Sequence, residues 1–264
     1  MNATAEELAS KLGLSQEQLE KALAETLDHT IYLAKNGFRN VALSSGQRFC
    51  TAPLLIKAAH KAHALNVLVK ERLMEEAETI LRILIEVSFV LAAIAKEPAF
   101  VRRYAASAYV QKKRELQNWV AGNRALPRPI LNPEQVKQLE AQIKILTEQI
   151  QKLAAKSIST KEYAEKAGQL AIYFINYSRL SSSVHSGPED LERFMKKDSD
   201  RKLVAIGPPD PGRPDVVLWV GIETIVRILD SASAIFGLCI LGIEKVRQFY
   251  AGMSALMMEE MKII

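Results

Sequence analysis

The sequence predicts an all-α protein, an elongated helical bundle with an inserted helical hairpin and a Pro/Gly-rich surface loop. Apolar residues recur at helical spacing in nearly every long segment, helix-start signals stand at the heads of those segments, and sustained period-two alternation is missing. Composition agrees. Aromatics are only 6% of residues, while Ala, Leu, Ile, Glu, Lys and Gln, all competent in helices, dominate.

The first helix begins at Ser15-Gln16-Glu17-Gln18, a capping box in which the Ser hydroxyl takes an orphan amide and Gln18 reaches back. Leu19, Leu23, Leu27 and Ile31 form its apolar stripe, and Asn36-Gly37 stops it. Residues 38–50 read as a loop. Pro53 opens a long apolar-periodic stretch to Ala95, one bent helix or two in succession, and Pro98 suits the first turn of the next helix, to about Val120. After a Pro-rich connection, Asn132-Pro133-Glu134-Gln135 is a strong helix start. There Val136, Leu139, Ile143, Leu146, Ile150 and Leu153 make a heptad seam, so short that it predicts an arm packed on a neighbour rather than a free coiled coil. Ser159-Thr160-Lys161-Glu162 caps a helix running to about His185, broken by Ser186-Gly187-Pro188.

Residues 187–215 read as a surface loop: a solvated charged run at Lys196 to Lys202, a short extended piece at Leu203 to Ile206, then a Pro/Gly-rich stretch. Asp215 caps a buried C-terminal helix that continues to about Tyr250 or is followed by a second. The expected organisation is an N-terminal helical extension, 1–50, and a bundle, 51–264, with the 133–156 helix inserted.

Several function classes are excluded. With 48% hydrophobic and 25% charged residues, wholesale disorder is out. Cys50 and Cys239 are too few for a disulfide scaffold and point to a reducing cytoplasm. The N-terminus lacks a basic region followed by an apolar stretch, so no signal peptide is expected. In Val216 to Val246 the charges Glu223, Arg227 and Asp230 interrupt the apolar run; a membrane span needs about 20 residues, so no membrane association is expected. His60-Lys61-Ala62-His63 lacks a second ligand pair, and no Gly-rich phosphate loop or nucleophile elbow occurs, so neither metal nor cofactor is expected. The formal net charge of +5 permits a polyanionic partner without requiring one.

Polar groups inside apolar helices cost free energy unless paired, so they mark candidate sites. Glu71, Glu75, Glu78, Arg82 and Glu86 share one helix face, with Arg82 and Glu86 embedded among aliphatics; an i,i+4 ion pair or support for a site explains them. Glu78 to Leu84 and Glu223 to Leu229 differ at one position only, which predicts that both arginines face carboxylates across the interior. Most informative are Tyr173, Tyr177, Ser181 and His185, recurring every fourth residue as a polar stripe that ends in an imidazole. Arg82, Glu86 or the Arg227 helix are its expected partners.

Arg179 followed six positions later by His185 resembles the R-x(4–6)-H signature of the HEPN-like superfamily. The chain is especially similar to bacterial HEPN-type families with a Tyr-x3-Ser-x3-His helix and an acidic-then-Arg helix upstream, over roughly residues 55–250. The resemblance implies a cytoplasmic, often dimeric helical protein. In active members Arg and His act in metal-independent RNA cleavage; others are non-catalytic. It also implies a setting in toxin–antitoxin or anti-phage systems, with an antitoxin or regulatory protein as partner. By that resemblance His185 is the acid/base, Arg179 the phosphate clamp, and Ser181 or Tyr177 an orienting group, with Arg82, Glu86 and Glu78 in support. The position after the Arg, commonly polar in active members, is Leu180 here. A helix with Arg102, Arg103, Lys112, Lys113 and Arg114 reads as a solvated outer face or, with RNA as partner, as a source of backbone contacts. The alternatives are a non-catalytic dimerisation module and a bundle that binds a small ligand in a Tyr173/Tyr177 cleft.

Overall fold

The computed structural model describes residues 16–37, 45–182, 192–197, 202–207, 214–237, 244 and 246–248. Its helices are α1 (Gln16–Gly37), α2 (Gly46–Lys70), α3 (Met74–Lys96), α4 (Phe100–Ala125), α5 (Pro133–Lys152), α6 (Thr160–Ala167), an interrupted α7 (Leu170–Ile172, Tyr173–Tyr177 and Ser178–Ser182) and α8 (Pro214–Phe236). The all-α class holds. Among the described residues one antiparallel pair, β1 (Met195–Lys197) with β2 (Leu203–Ile206), accompanies the helices.

The two most apolar segments become the central helices. Thirteen of the 23 residues of α3 are buried and sixteen of the 23 of α8, so each is covered on most sides. Helices α1, α2, α3 and α8 pack together as the main bundle, and α6 and α7 lie on α3. Phe89, Leu84, Leu91 and Ile94 of α3 meet Leu65 of α2, Leu27 of α1, and Leu218 and Ile222 of α8 in one fully buried core. Gly221 lets α2 and α8 approach closely. A Cβ there would sit 2.7 Å from Leu65 Cδ2, a side chain with no free space to retreat into.

Helix α2 begins at Gly46, not Pro53. Ser45 accepts a hydrogen bond from the Arg48 amide and caps it, and Pro53 is tolerated inside. The boundary drawn at residue 50 therefore falls within a helix, and α1 contributes Leu27 and Ile31 to the shared core. The new first turn ties the far ends of two helices: the Arg48 guanidinium donates to the Ile235 and Phe236 carbonyls of α8, and Gln47 donates to the Ile94 carbonyl of α3. Of the two readings for the stretch from Pro53 to Ala95, two helices is right. They part at Arg72, whose φ of 59° costs a non-glycine residue about 1–2 kcal/mol.

Helix α5 folds back along α4 and buries no residue fully, as expected for an arm. Its full capping box forms between Asn132 and Gln135, and Asn123 closes the connection by accepting from the Ile130 and Leu131 amides, both at 2.8 Å. Two expectations need correction. The helix begun at Ser159 ends at Gly168, whose φ of 67° places it in the left-handed region, with Lys96 Nζ where a Cβ would point. Residues 195–197, read as part of a solvated loop, form β1, which is too short for alternation to be counted. Of the two readings for the C-terminal segment, the shorter helix is right: α8 stops at Phe236, followed by Gly237 at φ 66°, and residues 244 and 246–248 are helical again.

Candidate functional site

The polar stripe of α7 is built on an irregular helix. Tyr173–Tyr177 is a π-helical turn, in which the Ser178 amide and the Ser178 hydroxyl both donate to the Tyr173 carbonyl. Such turns are rare and cluster at functional sites. The turn brings Tyr173 and Tyr177 into a stack, centroids 5.4 Å apart and planes 20° apart, so the rings lie on one another rather than flanking a cleft for a ligand. Phe89 supports the Tyr177 ring from α3 at 6.1 Å.

The buried Tyr177 hydroxyl is the hub of the site. It accepts from Arg82 Nη2 at 2.9 Å and donates to Glu86 Oε2 at 3.5 Å, with Thr160 Oγ1 of α6 at 3.4 Å. The Arg82 guanidinium also lies against the Tyr177 ring, 4.9 Å from its centroid. Arg82 and Glu86 thus serve the stripe, but the direct i,i+4 ion pair between them is not formed; the phenol stands between the two charges. Arg82 Nε is buried with no hydrogen-bond partner, an expense that rigid sites tolerate and loose ones relieve. Glu78 lies half-buried one turn before Arg82.

The near-identical segment of α8 behaves differently. Arg227 pairs with Glu223 on its own helix at 2.6 Å, and Asp230 pairs with Arg247. Neither arginine faces a carboxylate across the interior, because Arg82 is taken by a phenol and Arg227 by its own turn.

Arg179 is exposed, Ser181 half-buried and Leu180 packed into the core. His185 lies outside the described residues. The structure therefore joins Tyr177, Arg82 and Glu86 in one network and sets Arg179 at the surface two residues beyond it. On α4, Arg103 pairs with Glu162 at 2.5 Å and Lys112 with Glu115 at 3.1 Å. Among the described residues Arg102, Lys113 and Arg114 have no carboxylate partner. His60 and His63 are both exposed on α2, and among the described residues no three His, Cys, Asp or Glu gather as metal ligands would.

Sequence reasoning missed a second feature. An open groove of about 560 Å³ lies between α2, α3, α4 and α6, with Glu86 on its α3 wall. Its signals were a pair of lysines, Lys57 and Lys61, one turn apart on α2, and the run Ala105-Ala106-Ser107-Ala108, whose small side chains leave space. Tyr104 and Tyr163 line it, their rings edge to face at 6.3 Å. Burial pushes both phenols above the usual value of 10.0, and for Tyr163 the adjacent Ser107 hydroxyl pulls the other way while Tyr104, Glu86 and Glu162 add to the rise.

A raised phenol means that the folded chain holds its proton longer than the unfolded one. Its contribution to stability is complete below the unfolded value and is lost as pH climbs toward the folded value. The melting temperature should therefore fall above about pH 10, and less steeply in Tyr163→Phe. Parallel declines in the two proteins would remove Tyr163 as a cause.

Tyr177→Phe keeps the ring and removes the hub. Arg82 and Glu86 then lose a shared partner in a half-buried setting, and urea unfolding should show a loss of about 1–3 kcal/mol. No measurable loss would mean that water replaces the hydroxyl freely.

Fold and site together define an all-α bundle with a polar network buried at the root of a π-turned helix. Residues 49–202 match a family of unknown function (DUF5677), more than half of the chain, and the protein belongs to that family. The matched region holds Arg82, Glu86, Tyr177, Arg179 and His185, while α1 and α8 lie outside it. No curated protein and no solved structure matches the chain significantly. No helix among the described residues is long and apolar enough to cross a membrane.

Proposed function

We propose that the chain is a HEPN-like RNA effector, cleaving or binding RNA in bacterial stress or phage defence, with Arg179 as phosphate clamp and His185 as acid/base. The carrying observation is the exposed Arg179 on a turn pinned from beneath by Tyr177 and Leu180. A guanidinium on a fixed root loses little entropy when it grips a phosphate, and its planar fork binds two phosphate oxygens at once. Metal-free RNA cleavage uses the neighbouring 2′-hydroxyl as nucleophile. The protein need only move a proton and offset charge on the phosphate, work suited to an imidazole beside a guanidinium. The cations of α4 would hold the RNA backbone, and a second copy of the chain would double the charge at a shared site.

One observation favours a second reading, a non-catalytic interaction or dimerisation module. Tyr177 is committed to Arg82, and Leu180 is core, so part of the proposed set also serves packing. Incubating total RNA with the wild type and with His185→Ala separates the two. The effector reading expects cleavage products from the wild type alone, insensitive to chelators. Intact RNA with both proteins, and no RNA retention on a filter, would leave the module reading.

A further inference from the structure

The geometry points to a binding site, in the groove between α2, α3, α4 and α6, for a nucleotide-sized organic anion carrying a hydrogen-bond donor at its far end. Ligand pockets usually enclose about 300–1,000 Å³, and this groove, at about 560 Å³, falls inside that range. Its floor is apolar, formed by Leu54, Val87 and Val90. One rim carries Lys57 and Lys61, and among the described residues neither ammonium has a hydrogen-bond or ion-pair partner. Two unneutralised cations one turn apart suit a single anionic group held between them.

The α3 wall sets the remaining requirement. Glu86 reaches the groove while accepting, among the described residues, one long bond, from Tyr177 at 3.5 Å, so its carboxylate has acceptor capacity to spare. A ligand that is anionic throughout would be repelled there, whereas an N–H or O–H would be held. Inorganic phosphate lacks the apolar body, and a short fatty acid lacks the donor. A ribonucleoside monophosphate has all three parts: phosphate for the lysines, a flat ring for the floor, and an exocyclic amine or ribose hydroxyl for Glu86. This inference does not rest on the RNA reading, since neither Arg179 nor Ser181 lines the groove.

The test is calorimetric titration of the full chain with the four ribonucleoside 5′-monophosphates, with octanoate and with inorganic phosphate. At least one nucleotide should bind about tenfold or more tightly than either control, the discrimination that one charge-assisted hydrogen bond supplies. Lys57→Glu/Lys61→Glu reverses the rim, and Ala108→Trp fills the groove from an exposed position. Each should weaken that binding at least about tenfold with an unchanged melting temperature. Arg179→Ala should leave it untouched, so that the groove and the RNA site fail or stand separately. The proposal is overturned if no nucleotide binds at millimolar concentration, if octanoate or phosphate binds as tightly, or if both groove variants bind like the wild type.

Discussion

Phe89→Ala should lower the unfolding free energy by about 3–5 kcal/mol, the cost of deleting a fully enclosed aromatic ring. Phe89 has no exposed surface and sits on the central helix α3, with its ring against Tyr177. Truncation removes burial energy and leaves a void that flanking helices close only partly, since α3 is held by α2, α6, α7 and α8 at once. Urea unfolding should show a lower midpoint with an unchanged slope. Leu116→Ala, made on α4 outside the shared core cluster, should cost less, because fewer buried neighbours surround the gap. A cost for Phe89→Ala no greater than that for Leu116→Ala would be incompatible with a central α3.

On the proposed effector reading, Arg179→Ala should reduce RNA cleavage by about 10²–10³-fold, the usual effect of removing one preorganised donor to a charge-developing phosphate. Since Arg179 is exposed, its loss should change stability by about 1 kcal/mol at most. Activity and fold then separate cleanly. Arg179→Lys retains the charge but loses the two-pronged grip, so it should recover part of the rate and not all of it. Equal cleavage by wild type and Arg179→Ala would remove the clamp from the mechanism.

Much of the fold was legible because its causes are local. The capping residues Asn132 and Ser159 announce their helices within four positions, and the broad faces of α3 and α8 are mostly apolar along their length. The break at Arg72 was not legible, since no glycine or proline marks it and the turn is imposed by packing. Gly168 is legible in principle, a lone glycine in the helix begun at Ser159, but the Tyr-rich helical periodicity continues beyond it and masks the stop. Of the site, the i+4 stripe correctly directed attention to Arg82 and Glu86 as partners of α7. It did not reveal that the phenol of Tyr177 would separate them, which depends on the π turn and on Thr160 arriving from α6. The groove was least legible, because its walls come from four helices distant in sequence.

The bond from Arg48 to the Ile235 carbonyl joins residues 187 positions apart. During synthesis, α2 and α3 leave the ribosome long before the helix that completes their packing, and contacts of such separation form late. Until residue 236 has emerged, the faces of Leu65, Leu81 and Leu84 have no α8 to cover them. A polypeptide cut to the family-matched segment would stay in that state and should aggregate or recruit chaperones, so biochemical work on this family member needs the helices on either side.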